Sequence, residues 1–190
     1  MDVLALVVFS TLTFSTPLIL AALGGMFSER SGVVNIGLEG MMTFGAFAGA
    51  TLIVLTEQNL GIMSLFLGIL VAMFFGGLLA YGHAIVSIKF KIDQIISGTV
   101  INIAALGTAL YLCGVIFQSG ETPTKLTRGI TFFAGKLDLI TITAFALIII
   151  SAFVINKTKW GMHVRAVGEN PQAADAMGIN VLKVRYQAVI

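Results

Sequence analysis

Asn35 and Glu39 stand four residues apart in a segment, Val33 to Leu55, that is otherwise apolar and rich in glycine. On a helix that spacing puts both on one face. Moving a carboxylate into hydrocarbon costs about 2.5–3.5 kcal/mol on insertion scales. Glu39 is therefore a candidate pathway residue, or an acid that bonds nearby backbone as a structural plug. A second polar group, Asp93, Gln94, Ser97, Thr99 and Asn102, opens the segment Ile95 to Phe117. It could line a polar path, although Ser and Thr inside membrane helices often bond their own backbone. His83 has no second His or acid at metal-ligand spacing and reads as a satisfied interfacial histidine.

Enzyme signatures are mostly missing. The chain has no HExxH zinc helix and no GxSxG nucleophile elbow, either of which would suggest an intramembrane hydrolase. Gly129 to Leu137 approaches a phosphate loop, but five residues separate its glycines and Leu137, not Ser or Thr, follows Lys136. Neither the backbone cradle nor the magnesium ligand of a P-loop can form.

The strongest local signal lies between Asn156 and Arg185. Asn170 can cap a helix whose first residue is Pro171, and Gly178 can take the left-handed position after its end. Such a helix of about two turns is unstable alone, because nucleation is costly, so it needs a surface to dock on. That surface is either the rest of this chain or a separate partner. A loop of about 30 residues far exceeds the 2–8 usual between packed helices, which favours the partner. Ala173, Ala174 and Ala176 are small enough for close approach, and Arg165, Glu169 and Asp175 could fix register through charge pairs.

The elements that must position these residues are long apolar segments. Of 190 residues 57% are hydrophobic and 11% charged, against about 25% charged in ordinary soluble domains. Val3–Phe27, Val33–Leu55, Ile62–Ile88, Ile95–Phe117 and Leu139–Ile155 are each long enough to cross hydrocarbon as helix. A barrel would instead alternate apolar and polar residues strictly. The first segment lacks the basic flank and small-residue cleavage site of a signal peptide and is read as a retained span. Gly45 and Gly49, with Ala46 and Ala50, form a small-residue stripe for helix packing, the role also expected of Gly76 and Gly77. Cys113 permits no intramolecular disulfide and reads as a small packing residue. A net charge of +2, spread by loop, does not indicate nucleic acid.

Charge by loop sets orientation. Arg30, Lys89, Lys91, Lys157, Lys159, Arg165, Lys183 and Arg185 fall on one side, and Lys125, Arg128 and Lys136 on the other. Eight against three places the 156–185 loop in the cytoplasm. Five full spans then leave the N-terminus outside. A re-entrant second segment would put it inside, with the count at seven against four.

Two motifs carry a resemblance. Gln172-Ala173-Ala174-Asp175-Ala176-Met177-Gly178 resembles the Glu-Ala-Ala-x-x-x-Gly loop of bacterial ATP-binding-cassette importer permeases, with Gln for Glu. Gly161 to Pro171 and Glu29 to Met42 resemble the branch that carries branched-chain amino acids, ribose-type sugars and nucleosides, and the form of Glu29 to Met42 is most similar to its nucleoside permeases. The resemblance implies an all-α integral membrane protein of the bacterial plasma membrane. Its form would be a polytopic bundle of about five transmembrane segments plus the start of a sixth near Tyr186. Residues 1–190 would be one permease domain, incomplete at its C-terminus, with the coupling loop at 156–185.

The implied role is the transmembrane subunit of an ATP-driven importer, not itself an enzyme and binding no cofactor, with ATP and Mg on a partner. The implied partners are a cytoplasmic ATP-binding subunit, a second permease subunit and an extracytoplasmic solute-binding protein, the last facing the loop Gln118–Asp138. Coupling would fall to Arg165, Gly168, Glu169, Asn170, Pro171, Ala173, Ala174 and Gly178. Asn35, Glu39 and Asn102 would face the path or the helix seam behind it. The solute could instead be a simple sugar or a branched-chain amino acid. Outside the family, a secondary transporter relaying protons or ions through Glu39, or a membrane scaffold without transport, remain open.

Overall fold

The computed structural model describes residues 3–122, 131–132 and 137–190. Among the described residues five helices are long and apolar enough to cross a membrane. They are α1 (Val3–Arg30), α2 (Leu38–Leu60), α3 (Met63–Ala84, continued by a π-helical turn Ile85–Lys89), α4 (Gln94–Phe117) and α5 (Leu139–Lys157). A minimal antiparallel pair, Thr131–Phe132 with Leu137–Asp138, precedes α5. Three short helices follow: α6 (Lys159–Glu169), α7 (Pro171–Ala176) and α8 (Val181–Val189).

The packing is inverted relative to a water-soluble protein. Large side chains such as Phe14, Phe74, Tyr111 and Ile149 point outward, where lipid rather than water would meet them. The residues that helices bury between themselves are small: Thr16, Gly25 and Ser28 on α1, and Ser97, Gly98, Ala105, Ala109 and Cys113 on α4. Lipid offers no hydrophobic drive to associate, so close backbone approach and interhelical hydrogen bonds hold such bundles together. Cys113 takes the packing role expected of it.

The α2–α3 hairpin shows the device most clearly. A Cβ added at Gly45 would lie 2.9 Å from the Ala72 carbonyl oxygen, and one at Gly49 would lie 2.7 Å from that of Gly68. The expected stripe is thus a backbone contact. A Cβ added at Gly76 would lie 3.5 Å from the Met41 carbonyl oxygen, whereas one at Gly77 would meet open space within 4 Å, so Gly77 does not share the packing role expected of it.

The second segment opens as loop and then forms one uninterrupted helix, Leu38–Leu60, of 23 residues, about 34 Å at 1.5 Å per residue. That length crosses a hydrocarbon core of about 30 Å and supports a span rather than a re-entrant turn. The loop between α1 and α2 lies at the same end of the bundle as α6 and α8, which contact α1, α8 also contacting α3, and α7 packs on both of them. Arg30, Lys89 and Lys91 therefore cluster with the basic 156–185 region, as the five-span count requires. Lys125, Arg128 and Lys136, most of the phosphate-loop lookalike, and most of the Gln118–Asp138 loop lie outside the described residues.

Candidate functional site

The 156–185 segment holds more helix than its caps alone suggest. Thr158 starts α6, its Oγ1 accepting from the Gly161 N–H at 3.1 Å. A side chain at Gly161 would overlap the carbonyl oxygens of Val154 and Ile155, so only glycine lets the chain turn this tightly out of α5. Val164 and Val167 are fully buried, and pack with Ile155, Ala174, Val184 and Ala188. The apolar positions Trp160, Val164 and Val167 follow helical spacing. That signal marks α6, although the polar and glycine content around it reads as loop.

Asn170 ends α6 and begins α7. Its N–H donates to the Ala166 carbonyl at 3.0 Å, while its Oδ1 accepts from the Ala173 N–H at 3.0 Å. Pro171 occupies the first helical position, where no N–H is needed. Gly178 sits at φ +82°, the left-handed conformation expected after the helix. Asn180 repeats the capping chemistry for α8, accepting from the Lys183 N–H at 2.9 Å. The helix that contains Tyr186 thus begins at Val181, in polar sequence.

α7 has two faces. Ala174 is buried against the chain's own cluster, so it holds the helix down instead of meeting a partner. The outer surface consists of Gln172, Ala173, Asp175, Ala176 and Met177, with Met177 82% exposed. Glu169 and Asn170 are exposed beside it, and Arg165 is half-buried with its Nε enclosed and unbonded. Gly168 also turns inward: a Cβ there would overlap the Arg30 carbonyl oxygen and lie 3.0 Å from its carbon. Of the eight expected coupling residues, Gly168 and Ala174 thus pack within the chain.

Arg30 leads into a loop, Ser31 to Gly37, held by neighbours on both sides. Within it, the Ser28 hydroxyl donates to the Val33 carbonyl and the Ser31 hydroxyl to the Ser28 carbonyl, both at 2.7 Å. From α4, the Gln94 amide oxygen accepts from the Val34 N–H at 2.5 Å. From α3, His83 Nε2 meets the Val34 carbonyl at 3.2 Å and Nδ1 meets the Ser97 hydroxyl at 3.0 Å. A carbonyl only accepts, so Nε2 carries the proton and Nδ1 accepts from Ser97. His83 is fully buried and satisfied, although its role as a clamp between three elements is not evident from spacing. The π-helical turn begins two residues beyond it.

Asn102 completes the grip. Its Nδ2 donates to the Ile36 carbonyl at 3.0 Å, and its Oδ1 accepts from the Gly40 N–H at 2.7 Å. Gly37 precedes α2 with no side chain to cap it. The orphan N–H groups of a helix start need an acceptor, and α4 supplies one. Asn102 therefore belongs to the helix seam. Ser97 is bonded to His83, Thr99 to the Ile95 carbonyl, and Asp93 caps α4 through the Ile95 N–H. The polar group that opens α4 largely binds backbone and its neighbours.

Asn35 and Glu39 do not share a helix face. Helix α2 starts at Leu38, leaving Asn35 in the loop, buried, with its Nδ2 toward the Met41 sulfur at 3.6 Å and its Oδ1 unbonded. Glu39 is exposed in the first turn. Among the described residues no group of three or more His, Cys, Asp and Glu gathers as a metal would require.

The two motifs that lie some 130 residues apart thus meet. Gly168 rests on Arg30, and Arg185 Nε donates to the Ser31 carbonyl at 3.2 Å. Comparison with known proteins covers both motifs. The chain is 43% identical to the guanosine ABC transporter permease protein NupQ of Bacillus subtilis and 36% identical to the nucleoside ABC transporter permease protein NupC of Lactococcus lactis. Both alignments cover all of this chain and 64% of the relative, so the chain spans just under two thirds of their length. A second guanosine permease protein of Bacillus subtilis, NupP, is 29% identical over 88% of this chain and 51% of its own length. No solved structure matches. Five apolar helices and permease relatives make this a multi-pass protein of the bacterial plasma membrane. Residues 7–190 match the family described as branched-chain amino acid transport system / permease component, and the chain belongs to it.

Proposed function

We propose that this chain forms part of the transmembrane subunit of an ATP-driven nucleoside importer, coupled to a separate cytoplasmic ATPase through α7. The observation that carries the reading is the construction of α7. It is capped at both ends, pinned by Ala174, and presents Ala173, Ala176 and Met177 outward at the basic end of the bundle. A six-residue helix gains little by itself, and an outward face of small and flexible side chains suits a protein groove. Differential binding of that face to open and closed ATPase would bias the bundle between two states.

Nucleosides are favoured over sugars or amino acids because the relatives named above are named for guanosine and nucleosides. Bacillus subtilis has two permease proteins named for guanosine, one 43% and one 29% identical to this chain. That pair supports a second permease subunit of different sequence. The chemistry of ATP and Mg belongs to the ATPase, and an external solute-binding protein delivers the nucleoside.

The test uses proteoliposomes containing the full-length permease pair, its ATPase and its solute-binding protein. Uptake of labelled guanosine should require ATP, and ribose and leucine should not compete. Uptake driven by a proton gradient without ATP would overturn the reading and favour a secondary transporter relaying through Glu39. Absence of any transport would favour a scaffold.

A further inference from the structure

The loop Ser31–Gly37 is gripped from two directions by different parts of the molecule. On one side the 156–190 region holds Arg30 to Val33. Gly168 touches the Arg30 backbone and lies close to Gly32, Val189 packs with Val33, and Arg185 bonds the Ser31 carbonyl. On the other side α3 and α4 hold Val34 to Gly40 through His83, Gln94 and Asn102. The loop is a splice between the docking helix and the spans.

The joints on the docking side differ in kind. Gly168 and Val189 make packing contacts, which tolerate sliding. Arg185 makes a directional bond, and its Nη2 lies 3.3 Å from where a Gly32 Cβ would stand, so the guanidinium sits against a residue at φ +81°. Gly32 has no side chain to hold the guanidinium away from the loop backbone. A planar guanidinium loses less freedom per bond than a lysine ammonium, which suits a joint that must transmit displacement without slack. Rigid elements joined by such contacts are the physical means by which displacement at one site reaches another.

We propose that Arg185 is a positioning residue that carries displacement of the docking helix into the Ser31–Gly37 loop, and through His83 and Asn102 into α3 and α4. This rests on the importer reading above. Arg185 touches neither solute nor ATPase in that scheme; it acts through the Ser31 carbonyl.

The experiment compares wild type, Arg185→Met and Arg185→Lys in the full-length reconstituted complex, measuring complex assembly, ATP hydrolysis and guanosine uptake. Arg185→Met keeps the aliphatic stem and removes every donor. It should leave assembly and basal ATP hydrolysis within twofold of wild type, and lower the guanosine moved per ATP at least tenfold. Arg185→Lys, which can still donate one bond to Ser31, should recover part of that ratio. An unchanged ratio in Arg185→Met would overturn the proposal. Loss of assembly would also overturn it, assigning Arg185 to folding or docking. If the wild type fails to couple ATP to uptake, the importer reading fails first, which separates the two outcomes.

Discussion

Replacing Asn102 with leucine keeps the bulk of the side chain and removes both of its hydrogen bonds, the one to the Gly40 N–H and the one to the Ile36 carbonyl. The Gly40 N–H belongs to the first turn of α2, where the helix offers no acceptor. Losing an N-cap costs about 0.5–2 kcal/mol. The Ile36 carbonyl loses a donor, and an unsatisfied buried group costs about 1–3 kcal/mol. Side-chain hydrogen bonds measured inside membranes average only about 0.6 kcal/mol, because the unfolded chain finds other partners. Ile36 is itself exposed, so water reaches part of the seam and the lower figures apply. The expected loss is about 1–3 kcal/mol in all. Thermal unfolding of the purified full-length protein in detergent, followed by size-exclusion, should show a clear fall in midpoint. Ile103→Ala, one residue along on the outward face and 69% exposed, should change stability by about 0.5 kcal/mol or less. Uptake by Asn102→Leu should fall with the amount of folded protein, with solute preference unchanged. An unchanged midpoint together with an altered order of solutes would refute the seam assignment and return Asn102 to the path.

Met177→Asp places a charge on the 82% exposed side chain that ends α7; pull-down of the ATPase subunit should fall at least tenfold while the melting midpoint stays put. Ala174→Pro removes the N–H bonded to the Asn170 carbonyl at 3.0 Å and forces a ring into a buried cluster. Uptake and ATPase binding should both be lost in membrane-inserted protein, and normal uptake would sink the coupling-helix reading. Gly168→Ala gains about 1 kcal/mol of helix propensity, but its methyl meets the Arg30 backbone and overpacking costs about 1–3 kcal/mol. It should therefore melt lower, whereas Gly107→Ala, into open space, should not.

The spans are legible because hydrocarbon imposes a length and a composition on them: Gln94–Phe117 sits within a residue of its apolar run, whereas Leu38–Leu60 begins and ends five residues after Val33–Leu55. The caps at Asn170 and Gly178 were legible because they depend on residues adjacent in sequence. Helix α6 was hidden by Gly161 and Gly168, which read as breakers but are there for close backbone contact. A four-residue spacing puts Asn35 and Glu39 on one face only where both are helical, and the helix starts three residues too late for Asn35. The clamp made by His83, Gln94, Asn102 and Arg185 was invisible because each bonds backbone 49 to 154 residues away. No local pattern encodes a partner that distant. An alanine fits either face of α7, and only the cluster around Val164 and Val167 turns Ala174 inward.

The bundle's inverted packing fixes where the chain can drift. Outward positions such as Phe14, Phe74 and Ile149 need only be oily, so one bulky letter there can be exchanged for another without disturbing the shape. At Gly40, Gly49, Gly98 and Gly168 even one added carbon meets backbone. A saturation scan should find tolerance where side chains are largest and intolerance where there is almost nothing to mutate. The information that specifies this architecture is held chiefly in the atoms its sequence leaves out.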